Sequence, residues 1–418
     1  MLYKGKLVVF FGSAVIVLYA VSAAFYGRVV ARDDAYKKIA IFMEAIKRID
    51  DDYVEAPDMN KVQEAAMRGL IEALDPYCSF ISKEQLAAIE KRNASGTAGV
   101  GLVLSKRADV VYVVSLQREG GAEEVGLRPG DYLVDVDGIS LEDKSIKEAQ
   151  SLFRGAPGSK VKVTVFRGGR PKPLEFELTR KTDAPVPVVS QMLDANVGVL
   201  DVSSLGDSTV EQARVKLKTL ISAGAQKLIL DLRDCADGEP VDGAELANFF
   251  LREGLIYYSK NRQGERVLQV EASPARFITD LPMVVLINGS TSGPAEIAAG
   301  ALKDHKRATL VGEKSFGAGA SQRQIVLKSG SIITLSTAKF YTPGGKMIQD
   351  ELIRNTGIKP DVESPDDDHR QELLVESYYD DKEDVVKYRE LRDRIYKEQL
   401  QKAMELLAGI AAQTKRAA

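Results

Sequence analysis

Histidine is nearly missing from this chain: His305 and His369 are the only two in 418 residues. A Ser-His-Asp hydrolase therefore has little to be built from. Cysteine is as scarce. Cys78 and Cys235 fall in separate predicted domains, so no disulfide is expected and both are read as free thiols. An excess of either charge is also missing, because 57 Lys and Arg nearly cancel 60 Asp and Glu. That balance leaves no electrostatic footprint for nucleic acid. No cluster of metal ligands and no phosphate-cradling loop stands out, so neither a metal nor any other cofactor is expected.

What the chain does have is one long apolar run. Leu7 to Gly27 carries no charge and is long enough for a helix to cross a hydrocarbon core of about 30 Å. Lys4 and Lys6 favour a cytoplasmic amino terminus with the rest of the chain outside, although Arg28 and Arg32 weaken that asymmetry. A cleaved signal peptide is the competing reading, with Val21-Ser22-Ala23 as the small-residue cleavage site. The length of the run favours an uncleaved anchor that holds the protein to the membrane through residues 7–27. The bulk of the chain would then lie on the periplasmic side of a bacterial inner membrane; release into the periplasm after cleavage is the alternative.

Length alone suggests two or three domains at about 150 residues each. After the anchor segment, 1–32, residues 33–95 show helical periodicity, with Ile39, Phe42, Met43, Ile46 and Ile49 on one stripe that would pack on the next helix or on a partner. Residues 96–180 hold short strands such as Val110 to Val114 and Val161 to Phe166, with a helix from Ser145 to Phe153. Lys181 to Pro187 is a Pro-interrupted linker opening the segment 181–365. There, strands Val197 to Val202, Lys227 to Leu232 and Met283 to Ile287 alternate with helices Thr209 to Ala223 and Val241 to Glu253. Such alternation predicts βαβ units and a parallel or mixed sheet, with a site at the strand ends. Residues 366–418 are acidic and then helical, expected as a solvated helix lying on the core or as a dimer contact. The fold class is multidomain α/β: a transmembrane helix, a helical cap, a β-rich domain, an α/β core and a helical tail.

The segment most like a catalytic site runs from Val284 to Gln322. An apolar strand enters Asn288-Gly289-Ser290-Thr291-Ser292-Gly293, and Pro294 opens a helix with Glu296 in its first turn, where the dipole favours an acid. Strand-turn-helix elbows are where acyl-transfer enzymes place a nucleophile and oxyanion donors.

Several motifs now fall into register: Ile49 to Val54, Leu74-Asp75-Pro76, Gly126 to Asp131, Asp231-Leu232-Arg233, Gly300 to His305, Val311 to Gly317, Tyr341 to Gly345 and Gly357 to Asp361. Through them the chain resembles the carboxyl-terminal processing, or tail-specific, peptidases, which use a Ser/Lys dyad supported by a Gln. The resemblance implies an α/β core closed by the strands from Arg323 to Tyr341. It makes residues 96–180 a PDZ domain, whose carboxylate-binding loop is Gly99, Val100, Gly101 and Leu102. Successive N–H groups in such a loop converge on a terminal carboxylate, while the following strand pairs with an extended peptide.

The resemblance also implies two losses. The family's nucleophile lies three residues before the motif Glu, here at Gly293. Its base lies between two glycines, here at Ala318 between Gly317 and Gly319. The supporting Gln is present as Gln322 and an Asp of the following helix as Asp304. One oxyanion donor would be the N–H of residue 294, which is a proline and has none. The other would come from the turn Asp234-Cys235-Ala236-Asp237-Gly238, where Gly238 alone is left of a glycine pair, beside two carboxylates. Hydrolysis is therefore expected to be lost, with binding of protein carboxyl-terminal tails or unfolded polypeptide retained. The protein would act as a homodimer or beside an active relative. The alternative is an active serine peptidase using Ser292, shifted by one residue, with Lys303 or Lys314 as base. Against it, Ser292 is more simply the cap of the helix, and both lysines have the polar neighbours of surface residues.

Overall fold

The computed structural model describes residues 37–107, 110–182, 186–350, 356–365 and 385–417. The expected membrane segment, Leu7 to Gly27, lies outside them, as does His369. Among the described residues no helix is long and apolar enough to cross a membrane.

Two compact units divide the chain, one ending at Met67 and the other starting at Arg68. In the first, helix α1 (37–52) carries the predicted stripe, but Ile39, Phe42, Met43 and Ile49 are exposed, not packed on a neighbouring helix. Helix α2 (Met59–Glu72) follows.

The second unit takes in the end of α2 from Arg68 and continues with β1 (Ser79–Ile81) and α3 (Lys83–Ser95), which starts where Ser82 and Gln85 cap each other's backbone. Next come β2 (Ala98–Gly99), β3 (Leu102–Arg107), β4 (Val110–Leu116), the short α4 (Gly121–Glu124), β5 (Tyr132–Val136) and β6 (Ile139–Ser140). Helix α5 (Ile146–Leu152), β7 (Lys160–Phe166), β8 (Leu174–Thr179) and β9 (Lys181–Thr182) complete this part. The antiparallel sheet runs β3-β4-β5-β7-β8, so β3 is an edge. Alternation explains the core: Val161, Val163 and Val165 point inward while Lys160 and Lys162 stay outside.

The α/β core follows: β10 (Val189–Leu193), β11 (Val197–Asp201), α6 (Asp207–Ser222), β12 (Lys227–Asp231), α7 (Pro240–Asn248), β13 (Leu255–Lys260), β14 (Arg266–Glu271) and β15 (Met283–Ile287). After it come α8 (Pro294–Asp304), β16 (Thr309–Gly312), β17 (Ala320–Val326), β18 (Ile332–Tyr341), β19 (Val362–Glu363) and α9 (Val385–Ala417). The main sheet runs β10-β11-β12-β15-β16-β19, parallel except at β10. Its central strands are buried on both faces, so they read as continuous apolar runs. Leu228, Leu230, Val285, Ile287 and Leu310 face the cluster under α6, α7 and α8. Val199, Ile229, Val284, Leu286 and Val311 face the other cluster, to which α9 contributes Ala403 and Leu407.

β17 and β18 lie against the core, with Phe340 in its cluster, but are not part of the main sheet; they form a separate antiparallel sheet with β1, β13 and β14. Nor is α9 merely a solvated helix on the core. Its first turns grip the β-rich part, with Arg392 paired to Glu123 at 2.7 Å and Tyr388 under the Arg128 guanidinium at 4.3 Å. Later turns dock on the core, where Gln399 is fully buried against Arg233. The composition of α9 is polar because it binds through ion pairs and amides, which periodicity does not register.

Helices α7 and α8 cross so closely that a Cβ on Gly243 would lie 1.9 Å from the Pro294 carbonyl oxygen. Gly243→Ala is expected to cost about 2–3 kcal/mol by overpacking and to displace the start of α8, read as a lower denaturation midpoint with an unchanged slope.

Candidate functional site

Strand β15 ends in a turn held to its surroundings by hydroxyls. The Thr291 hydroxyl donates to the Leu232 carbonyl at 2.8 Å, the Ser290 hydroxyl to the Val114 carbonyl at 2.7 Å, and the Ser292 N–H to the Cys235 carbonyl at 2.8 Å. The turn thereby fixes the loop after β12 beside the start of α8. Gly293 follows with φ 56° and ψ −114°, a conformation that strains any residue bearing a Cβ. Ser292 does not cap the helix with its side chain. The cap position is Gly293 itself, and its N–H donates to Glu296 Oε2 at 3.0 Å.

Glu296 organises the centre. Fully buried, its carboxyl group accepts from the N–H groups of Gly293 and Ala318 on Oε2 and from the Gly317 N–H and the Ser315 hydroxyl on Oε1. One oxygen thus ties residue 293 to residue 318, the two positions where the resemblance expects a nucleophile and a base. Burial pushes the Glu296 carboxyl up to about 7, against the four donors that pull it down.

Beside this clamp lies a cavity of about 240 Å³. Ser292, Gly293, Ala318, Gly238 and Gln322 all line it, among apolar Val103, Leu104, Val114, Ile297, Phe316 and Phe340. Tyr77 is the one titratable side chain on its wall among the described residues. Gln322 sits at the rim and donates to the Ser336 hydroxyl at 2.8 Å.

Other predicted residues are elsewhere. Asp304 is at the far end of α8, about 16 Å of helix from Gly293 at ~1.5 Å per residue, where it accepts from the Gly344 N–H. Lys303 binds Asp361 and the Lys359 carbonyl, Lys314 is exposed, and His305 holds the Leu255 carbonyl. The two carboxylates of the 234–238 turn face away from the cavity. Asp234 accepts from Tyr396 and Asn288, and Asp237 from the Ser204 hydroxyl and the Leu205 N–H. Cys235 is buried, which raises its thiol well above the usual range and disarms it as a nucleophile.

The second cavity, about 400 Å³, lies between β3 and α5. Gly99, Val100, Gly101 and Leu102 form one end, and the carbonyls of Val100 and Gly101 are pinned by the N–H groups of Ala122 and Gln117. Lys147, Arg154 and Asp237 add charge to its walls. Sequence reasoning missed Lys147 and Arg154; their signal was the Ser145/Glu148 capping pair, which sets where α5 begins. Glu296 was read for its place on the helix dipole and as the motif residue that locates position 293, but not as a clamp, since its partners at 315–318 are distant in the chain. Among the described residues no group of three or more His, Cys, Asp or Glu side chains is placed to hold a metal ion.

Comparison with known proteins adds identity to this geometry. Residues 196–364 match peptidase family S41, and residues 112–167 match a PDZ domain. A carboxy-terminal-processing protease of Bartonella bacilliformis is 30% identical over 333 residues, covering 79% of this chain and 75% of that protein. A carboxyl-terminal-processing protease of Synechocystis is 33% identical over 323 residues, covering 75% and 74%. Among solved structures, a photosystem II D1 C-terminal processing protease superposes with a TM-score of 0.64 at 26% identity, covering 78% of this chain and 92% of that one.

Proposed function

Since the chain belongs to the carboxy-terminal processing proteases, with a family S41 core and a PDZ domain, we propose that it captures protein carboxyl-terminal tails and does not hydrolyse them. One observation carries this reading: the cavity joining Gly293 and Ala318 has no Lys, His, Asp, Glu or Cys on its wall among the described residues. A serine hydroxyl is a poor nucleophile until a base takes its proton. Ser292 lines that cavity with no base beside it, which disfavours the shifted-nucleophile alternative. Pro294, the residue after Gly293, supplies no N–H to an oxyanion formed at that position.

The PDZ cavity keeps what tail capture needs, a glycine loop next to an edge strand. The uncharged run Leu7 to Gly27 supports an anchored, extracytoplasmic setting. There the protein would hold tails as an adaptor, or withhold them from an active relative.

The test uses the full chain in detergent with an unstructured protein ending in apolar residues. Calorimetry should show binding that weakens at least tenfold when the tail is amidated, while mass spectrometry of the same samples shows the substrate intact. Cleavage that disappears in Ser292→Ala would overturn the proposal.

A further inference from the structure

We infer that one bound tail occupies both cavities at once, its carboxyl end on the Gly99–Leu102 loop and an apolar side chain three or four residues before the last in the cavity around Ala318. The inference rests on the tail-binding reading and adds to it a sequence preference. Val103 and Leu104 line both cavities, so the two are neighbouring stretches of one track along β3. That strand is the sheet edge, and its outer N–H and C=O groups can take an added strand.

Paired strands advance together at about 3.3 Å per residue. An antiparallel tail whose last residue lies opposite Leu102 therefore sets the residue two before it opposite Leu104, and the next opposite Ser105. Ser105 lines only the Ala318 cavity. Alternation turns the last residue and the one two before it toward α5, and the residues one and three before the last away from it. The irregular pairing between Val103 and Leu104 widens the assignment by one residue. The receiving wall is uncharged, with Val114, Ile297, Phe316 and Phe340 around Ala318, and its volume suits a side chain of leucine or phenylalanine size. On this account the alanine at 318 opens a pocket that a lysine side chain would fill.

The experiment is calorimetry on the full chain with eight-residue Gly/Ser peptides in which a single Leu is moved from one to six places before the end. Leu three or four places before the last should tighten binding about tenfold over the all-Gly/Ser peptide. In Ala318→Leu that peptide should fall to the affinity of the all-Gly/Ser peptide on the unaltered protein. Should the variant not fold, a photoreactive leucine at the same place on the unaltered protein should crosslink to Ile297 or Phe316. A gain confined to the last three residues, a gain equal everywhere, a gain that survives in folded Ala318→Leu, or crosslinks only to α5 would overturn the inference and leave tail binding intact. Absence of binding by every peptide would sink the tail-binding reading itself, and this inference with it.

Discussion

Glu296→Ala is expected to destabilise the core by about 5 kcal/mol, because it strips acceptors from four donors at once, two of them buried and two part-buried. The N–H groups of Gly293, Gly317 and Ala318 and the Ser315 hydroxyl all end on this carboxyl group. A buried donor left unpaired costs about 1–3 kcal/mol. Partial relaxation and water should recover some of the sum. Against a total of roughly 5–15 kcal/mol, the loss should lower the thermal midpoint by ten degrees or more, and calorimetric unfolding measures it. Glu296→Gln should lose less, about 1–3 kcal/mol. Its amide can donate to the Ser315 hydroxyl but then meets the Gly317 N–H donor to donor. A midpoint within two degrees of the parent for Glu296→Ala would show that the clamp contributes nothing.

The same group sets a pH dependence. In the folded protein its carboxyl lies at about 7, raised from the ordinary 4.5, so the folded state keeps a proton that the unfolded chain has given up between those values. The stability this group contributes is fully present below 4.5 and is lost as pH rises through 7. The difference amounts to about 3 kcal/mol. The proton has one natural place, between Glu296 and the Ser315 hydroxyl at 2.5 Å, since a hydroxyl can accept and the three backbone N–H groups cannot. Denaturant titrations should show the parent losing stability from pH 5 to 7.5, with Glu296→Gln flat over that range.

How much of this was legible beforehand divides along a physical line. The central strands were legible because burial on both faces leaves unbroken apolar runs such as Met283 to Ile287. The loop Gly99 to Leu102 was placed through the family resemblance, since a glycine turn before a strand is common and marks no site by itself. The course of α9 was not, because Arg233, Tyr396 and Gln399 act through directional bonds across 163 and 166 positions of sequence separation. The second sheet was missed for a related reason: the strands from Arg323 to Tyr341 were expected, β13 was not, and pairing partners distant in sequence decide which sheet they join. At the centre, the residue types at 293 and 318 could be read directly. That Asp234 and Asp237 turn away from the cavity depended on acceptors wanted by Tyr396, Asn288, Ser204 and Leu205.

Under the proposed reading, Gly293→Ser with Ala318→Lys should convert a protein with no detectable turnover into a feeble peptidase, and adding Pro294→Ala should raise its rate about a hundredfold. A Cβ at 293 meets nothing within 4 Å, so the serine fits. Its backbone, at φ 56°, would hold it with about 1–3 kcal/mol of strain. A lysine at 318 would enter an apolar cavity, where burial lowers its pKa toward the range of a working base. The pair alone would still face an oxyanion with one donor absent. Restoring the N–H at residue 294 should recover the factor of about 10²–10³ that such a donor supplies. Mass spectrometry of tail peptides, with single-turnover rates for the double and triple variants, measures the step. Equal rates for double and triple would mean that residue 294 does not face the reacting carbonyl. Turnover in the parent, lost in Ser292→Ala, would mean that the chain had kept a nucleophile one residue from where the family resemblance expects it.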